Sequence, residues 1–487
     1  MRKLLSGCPT AVLAATMLAV PVRAADKPAD KPAAKTAGSQ SGLPAAISAE
    51  TKDCLGCHRG DSPGIYQQWG QSKHYRANVG CYECHKADKG DVDAFDHNGL
   101  LIAVLVTPKD CARCHEREVA EFAGSRHSKA GRIIGSIDNH LAEVVQGNRA
   151  FKTPGFPNGN SAAAVNGCWQ CHGSPVKVGK EGKLDAASWP NSGVGRINPD
   201  GTEGSCSACH MRHDFSAAQA RQPNTCGKCH LGPDHPQKEI YEESKHGIAY
   251  SANVDKMNLN SAKWVVGEDY TAAPTCATCH MSATRKQPVT HDIGMRISWN
   301  NRPVLSVRPE VADAKMGLAG AKVGWEKRRA NMKDVCTACH NETWADSFYT
   351  QYDATITLYN EKFAKPGMAL HELAKPLLGP GFSSMIDFVW YEIWHHEGRR
   401  ARHGASMMAP DYTHWHGTYE IARNFYGHFI PLLNELVEKF KGSTDANKAA
   451  KAQALHAKID EVLNSPDHQW FLGKGPKNEP PAAGGHK

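Results

Sequence analysis

The chain has 487 residues, with Lys+Arg 57 against Asp+Glu 50 for a formal net charge of +7; its mean hydropathy is −0.51 and its pI is near 8.5. Past the first two dozen residues no apolar run approaches the roughly 18 residues of a membrane span, and with 8% aromatics side chains alone would build a thin core. A basic surplus ordinarily points to nucleic acid or a membrane surface, but the cysteines give it another use.

Arg2 and Lys3 precede an apolar run over 11–22, and Val22-Arg23-Ala24 offers a small-residue cleavage site, so residues 1–24 read as a secretory signal. Leu5-Ser6-Gly7-Cys8 resembles a lipoprotein cleavage box, yet it would leave only a few residues before the cut and the main apolar run after it. Residues 25–50 begin as an Ala/Lys/Pro/Asp tract and read as a disordered leader.

Residues 51–345 carry eight copies of Cys-x-x-Cys-His. In order, their thiols and imidazoles are Cys54, Cys57 and His58; Cys81, Cys84 and His85; Cys111, Cys114 and His115; and Cys168, Cys171 and His172. The remainder are Cys206, Cys209 and His210; Cys226, Cys229 and His230; Cys276, Cys279 and His280; and Cys336, Cys339 and His340. They use 16 of the 17 cysteines; Cys8 is the other, and none is left for a disulfide. One such motif reads as a c-type haem attachment site, two thioether bonds and a proximal imidazole. Alone it could be a zinc half-site or a redox dithiol; a His after each of eight pairs removes those readings.

The sequence therefore implies eight covalently bound c-type haems in a soluble protein of the periplasm or an equivalent extracytoplasmic compartment, where such haems are attached. Each haem brings two propionates, so the holoprotein is net acidic and the surplus Lys and Arg are matched to propionates, not nucleic acid. First cysteines are separated by 20 to 60 residues, which excludes a tandem repeat. The fold class implied is mainly α: short helices and loops wrapped around haems, then a C-terminal bundle of long helices.

An electron-transfer haem fills its sixth position with a strong ligand, whereas a catalytic one keeps it open, the logic of catalytic metal sites generally. Of 26 His, the proximal eight leave 18. Ser72-Lys73-His74, Ser125-Arg126-His127 and Ser244-Lys245-His246 repeat one pattern, for which distal ligation is the natural shared role. The distal candidates are His74, His97, His127, His140, His213, His246 and His291, with His403 in reserve; His371, His395 and His396 could also reach back from the C-terminal region.

Asp234-His235 sits in Gly-Pro-Asp-His-Pro just after the sixth motif. A His–Asp pair beside an open iron suits the removal of protons in step with electrons; the plain alternative is a loop His bonded to its neighbour. His213-Asp214 is the competing pair, and Tyr270 is a weaker candidate for the pocket wall.

Residues 346–470 lack cysteine and read as a helical domain, with helices over 346–363, 383–404, 413–442 and 444–465. Met385, Phe388, Val389, Ile393 and Trp394 follow amphipathic spacing, Pro431 should kink or break the third helix, and Thr444 is the expected cap of the fourth, with Gly442 stopping the third. Residues 471–487 read as a frayed tail.

The eight motifs, Cys168-Trp169-Gln170-Cys171-His172-Gly173 at the fourth, the sixth motif running into Gly232-Pro233-Asp234-His235-Pro236, and Arg402-His403-Gly404-Ala405 through Asp411-Tyr412-Thr413-His414-Trp415-His416-Gly417 carry a specific resemblance. The chain resembles the octahaem hydroxylamine oxidoreductase family, whose relatives include hydrazine dehydrogenases and reductive octahaem and pentahaem nitrite reductases. The likeness implies that the fourth haem, on Cys168 and Cys171 with His172 beneath it, is catalytic and that the other seven are bis-His carriers passing electrons to a small cytochrome c. In oxidising members a C-terminal Tyr bonds covalently to the catalytic haem of the next subunit of a homotrimer, and reductive members lack the link. Tyr412 is the first choice for that residue and Tyr419 the second. Hydroxylamine oxidation is the activity implied, with reduction of nitrite or hydroxylamine, hydrazine oxidation and a non-catalytic electron conduit as alternatives.

Overall fold

A computed structural model describes residues 46–133, 164–318 and 323–474, together with positions 152, 154 and 157. The expected signal, Cys8, His140 and the chain beyond 474 lie outside the described residues.

The protein is mainly α, and the two parts of the chain bury different things. Up to His340 most helices are short, many of a single turn, such as Cys81–His85, Trp169–His172 and Cys276–His280, with Ala49–Asp61 and Trp325–Cys336 the longer ones. One-turn helices do not pay for their own nucleation, and local caps help them: Thr107 accepts from the Lys109 amide while Asp110 accepts from the Thr107 amide (3.2 and 2.9 Å) ahead of the third motif. The apolar clusters in this part are small, one around Met257, Trp264, Val266 and Tyr270 and one around Ile47, Leu55, Trp69 and Tyr75. Side chains are not the chief filling here. A two-stranded hairpin pairs Phe95–His97 with Leu100–Ile102. Asn98 and Gly99 both take positive φ (54° and 80°), the turn that Asn-Gly favours because its twist matches the strands.

The main core lies between Tyr359 and Leu463 and is built by the C-terminal helices. The first of these begins earlier than expected, at Glu342–Leu358, and continues through a π turn Tyr359–Ala364 into Lys365–Ala374. The third runs from the π turn His414–Tyr419 through Glu420–Asn424 and the π turn Phe425–Phe429 into Ile430–Phe440. Pro366 and Pro431 each stand near the start of a helix that follows a π turn, so Pro431 does not interrupt the helical run as expected. The wider turn rearranges the carbonyls that a proline ring would otherwise strike.

A π turn also shifts the second helix. Met385–Tyr391 passes into Glu392–Glu397 and then Gly398–Ser406. The extra residue per turn moves the buried face, so Ile386, Trp390, Tyr391, Ile393 and Trp394 are buried while Met385 and Phe388, expected inside, are exposed. The fourth helix, Ala446–Leu463, is capped by Asp445, which accepts from the Asn447 amide (3.0 Å), and not by Thr444.

Candidate functional site

The thiols of successive motifs stand beside one another in an order the sequence does not give. Cys54 neighbours Cys81, Cys84 neighbours Cys111, and Cys111 lies within hydrogen-bond reach of Cys206. Cys209 then neighbours Cys226, Cys226 neighbours Cys276, and Cys279 neighbours Cys336. The first, second, third, fifth, sixth, seventh and eighth motifs thus form one line. The fourth hangs off the sixth through Cys171 and Cys229.

Whether these residues fit haem iron can be tested on the imidazoles. Two imidazoles on opposite faces of one metal ion, each bound at about 2 Å, stand with ring centres roughly 6 Å apart. His58 and His97 are 6.1 Å apart, His74 and His115 6.2 Å, and His85 and His213 6.5 Å. His127 and His230 are 6.1 Å apart, His210 and His291 6.4 Å, and His246 and His340 6.1 Å. Each pair joins a motif imidazole to one of the distal candidates, and each gap suits an iron ion. One proximal ring is visibly held in the tautomer this requires: His85 Nδ1 donates to the Ala103 carbonyl (2.9 Å) and leaves Nε2 free. Among the described residues no imidazole stands at this spacing from His172 or His280.

Local structure explains the repeated Ser-basic-His pattern. Ser72 and Ser244 cap short helices, accepting from the Tyr75 and Gly247 amides (3.0 and 3.2 Å), which sets His74 and His246 near each helix start. At the third copy the basic residue is the anchor. Arg126 is buried and donates to Asp313 (2.7 Å), which Arg328 also holds (2.6 Å), so His127 rides on a buried Arg–Asp–Arg group.

At the fourth motif, Gly173 takes φ 80°, and a Cβ there would meet the Arg196 backbone at 2.4 Å. The Val194 and Gly195 amides donate to the Cys171 and His172 carbonyls (2.9 and 3.0 Å), which seats His172 against this loop. Burial lowers the pKa of His172, and the charges that act on it include His235, Asp234 and Arg302. The loop carrying Asp234 closes on itself: the Lys238 amide donates to the His230 carbonyl (3.0 Å), and His230 Nδ1 faces Gln237 Oε1 (3.3 Å). Asp234 Oδ1 is 3.1 Å from His235 Nδ1 at an angle poor for a hydrogen bond, and its Oδ2 accepts from Arg399 (3.3 Å).

His213-Asp214 does not form a comparable pair, because Asp214 accepts from the Ser216 amide (2.8 Å). Tyr270 is stacked on Trp264 (4.3 Å) in an apolar cluster with its hydroxyl on Thr278 (2.7 Å). Tyr412 is half-buried, and its amide donates to Glu243 (3.3 Å) on the helix that follows the Asp234 loop. Tyr419 is 47% exposed beside Trp415. Of the C-terminal histidines, His371 pairs with Asp387 (2.9 Å), His395 with the Tyr391 hydroxyl (3.2 Å) and His396 with Glu392 (3.2 Å). His403 is different, with buried Nε2 and with His230 and His235 among its neighbours; burial holds it well below the usual imidazole range.

Comparison with known proteins agrees with this geometry. A family model described as seven times multi-haem cytochrome CxxCH matches residues 199–366. One described as cytochrome c554 and c-prime matches residues 23–86 and 110–211. A probable nitrite reductase-hydroxylamine oxidoreductase fusion protein of Kuenenia stuttgartiensis is 27% identical over 353 residues, 62% of this chain. The chain is a multihaem cytochrome c similar to hydroxylamine oxidoreductase-like proteins.

This cytochrome spans 35% of that fusion protein. Its fold is shared with a solved hypothetical multiheme protein at 28% identity and TM-score 0.69, over 81% of this chain and 96% of that one. A reducing HAO-like protein complex of Kuenenia stuttgartiensis matches at 19% identity and TM-score 0.52, over 85% and 87% of the two chains. The family models thus support covalently bound c-type haems and electron transfer, and none of the described helices is long and apolar enough to cross a membrane. Sequence reading missed Arg399, which lies in Gly398–Ser406 between the quoted motifs. Its signal was there: Arg399, Arg400 and Arg402 crowd one short helix.

Proposed function

We propose that this cytochrome carries eight haems and oxidises hydroxylamine at the fourth, passing electrons along the other seven to a small cytochrome c. The observation that carries this reading is the neighbourhood of His172: Asp234 and His235 lie within electrostatic reach of it, while no described imidazole stands at pair spacing. With Asp234 and His235 beside it, the position opposite His172 is the one we assign to substrate.

His230 has two imidazoles near 6 Å, His127 (6.1 Å) and His235 (6.2 Å). His127 is the better distal ligand, because the loop bearing His235 returns to the Nδ1 side of His230 at Gln237. His235 is then free for proton chemistry. The fourth haem, once bound, supplies an iron that takes the nitrogen substrate and accepts its electrons. Around it, His235 would take the substrate's protons, the Asp234 carboxylate 3.1 Å from its Nδ1 would offset the charge it gains, and Arg399 would keep that carboxylate in place.

The same site can run in reverse, and the likeness to a reducing HAO-like complex favours reduction of nitrite or hydroxylamine as the second reading. The covalent link separates them. A Tyr412–haem bond to a neighbouring subunit would make a periplasmic homotrimer and distort the fourth haem toward electron uptake. The test is the dithionite-reduced spectrum with a hydroxylamine turnover assay: a haem absorbing to the red of ordinary c-haems together with hydroxylamine-dependent reduction supports oxidation. Eight ordinary haems with nitrite-dependent oxidation support the reverse.

A further inference from the structure

The eighth motif carries a feature no other described motif shares. Trp344 lies face to face with His340, ring centres 4.1 Å apart and planes 11° from parallel. Among the described residues no other motif imidazole has a Trp, Tyr or Phe ring stacked on it. The arrangement is built locally. Asn341, next to His340, caps the helix Glu342–Leu358 by accepting from the Trp344 amide (2.8 Å), so the start of the helix fixes where the indole stands. One turn on, Phe348 backs the indole at 6.1 Å and 7°, and Tyr352 backs Phe348 at 5.9 Å and 12°. Tyr352 accepts from Asn301 (2.8 Å) and is buried, which anchors the ladder.

We propose that Trp344 is a positioning residue for the eighth haem: it locks the plane of the His340 imidazole and, through the face of its indole, favours the ferric iron. The proposal rests on the reading of His340 as an iron ligand opposite His246. An imidazole is free to turn about its metal–nitrogen bond unless something grips its faces, and a parallel indole grips one of them. Oxidation of the iron draws electron density from the ring. The negative face of the indole stabilises that positive charge, as it does a cation. The reduced state gains less, so the stack lowers the potential of this haem relative to one without it.

The experiment uses the full holoprotein. Trp344→Leu keeps apolar cover over the site and removes the π face, while Trp344→Phe keeps a ring that can stack. Haem content by pyridine haemochrome is measured first, and equality with wild type is expected in both. In the ferric EPR spectrum of the Leu variant one low-spin signal should move while the others stay. In a potentiometric titration followed at the α-band, one component should titrate at higher potential. The Phe variant should bring both back toward wild type. Unchanged signals and potentials in the Leu variant, or a Phe variant displaced as far as Leu, overturn the proposal. If the Leu variant loses haem, Asn341→Ala decides: it loosens the helix start without deleting the indole, and should broaden the same signal. A sharp, unmoved spectrum there also overturns it. A wild-type count of seven haems would instead strike the reading of the eighth motif.

Discussion

Arg399 reaches Asp234 across 165 residues of chain, Nη1 to Oδ2 at 3.3 Å, and so ties the C-terminal helical region to the loop beside the fourth motif. Arg399 is 5% exposed, donates through Nε to the Arg302 carbonyl (2.8 Å) and lies over the Trp394 ring (5.4 Å). A guanidinium this confined fixes the carboxylate it touches. Arg399→Gln should leave haem content and low-spin signals unchanged and slow hydroxylamine turnover about 10- to 100-fold, since a charge-assisted hydrogen bond is worth about 1.5–3 kcal/mol. Turnover within threefold of wild type would remove Arg399 from the site.

His235→Ala probes the proton chemistry itself. All eight haems should remain attached while turnover drops about 10²–10⁴-fold, the usual worth of general acid–base help. Disappearance of one low-spin haem signal would show that His235, not His127, is the ligand opposite His230.

The open position proposed opposite His172 can be counted. Carbon monoxide added to the reduced protein should bind one haem per chain, and a high-spin ferric signal should accompany it. Binding to none would favour the electron conduit; binding at a haem that survives replacement of His172 would move the active site elsewhere.

Tyr412→Phe addresses the link between subunits. A C-terminal arm reaching a neighbour is a heterologous contact that closes into a ring or polymerises. With the covalent bond, wild type should run on denaturing gels as an oligomer resistant to reductant, and the variant as a monomer that has lost oxidation. A wild-type band at monomer mass points to the reductive direction.

Glu397 predicts a pH dependence of stability outside the site. Burial, with Glu420 and Glu392 nearby, pushes it up to about 7. Its unfolded value is about 4.3, so between these the folded state holds a proton that the unfolded state has released, and stability falls as pH rises. Glu397→Gln should flatten that slope and raise the thermal midpoint at pH 8, measured by thermal melts between pH 4 and pH 8. An unchanged slope would mean that the Asn424 amide, which donates to Glu397, keeps it ionised.

What the sequence determined by itself was the covalent chemistry. A Cys-x-x-Cys-His motif is local, five residues that need no partner from elsewhere to be recognised, so haem attachment and the proximal imidazoles could be read directly. The Ser-basic-His repeat at His74 and His246 was legible for the same reason, although the capping role of its serines was not. Pairing is different. Which imidazole faces which, His97 with His58 or His213 with His85, depends on segments that meet only when the chain folds, and motif order does not predict that the fourth hangs off the sixth. The buried face of the second C-terminal helix was misread because a π turn adds a residue that periodicity cannot register. Arg399 stayed hidden because its partner, Asp234, is distant in sequence. Local bonding follows from the order of residues; the contacts that pair the imidazoles and hold Asp234 are made between remote segments, and only the tertiary structure selects them.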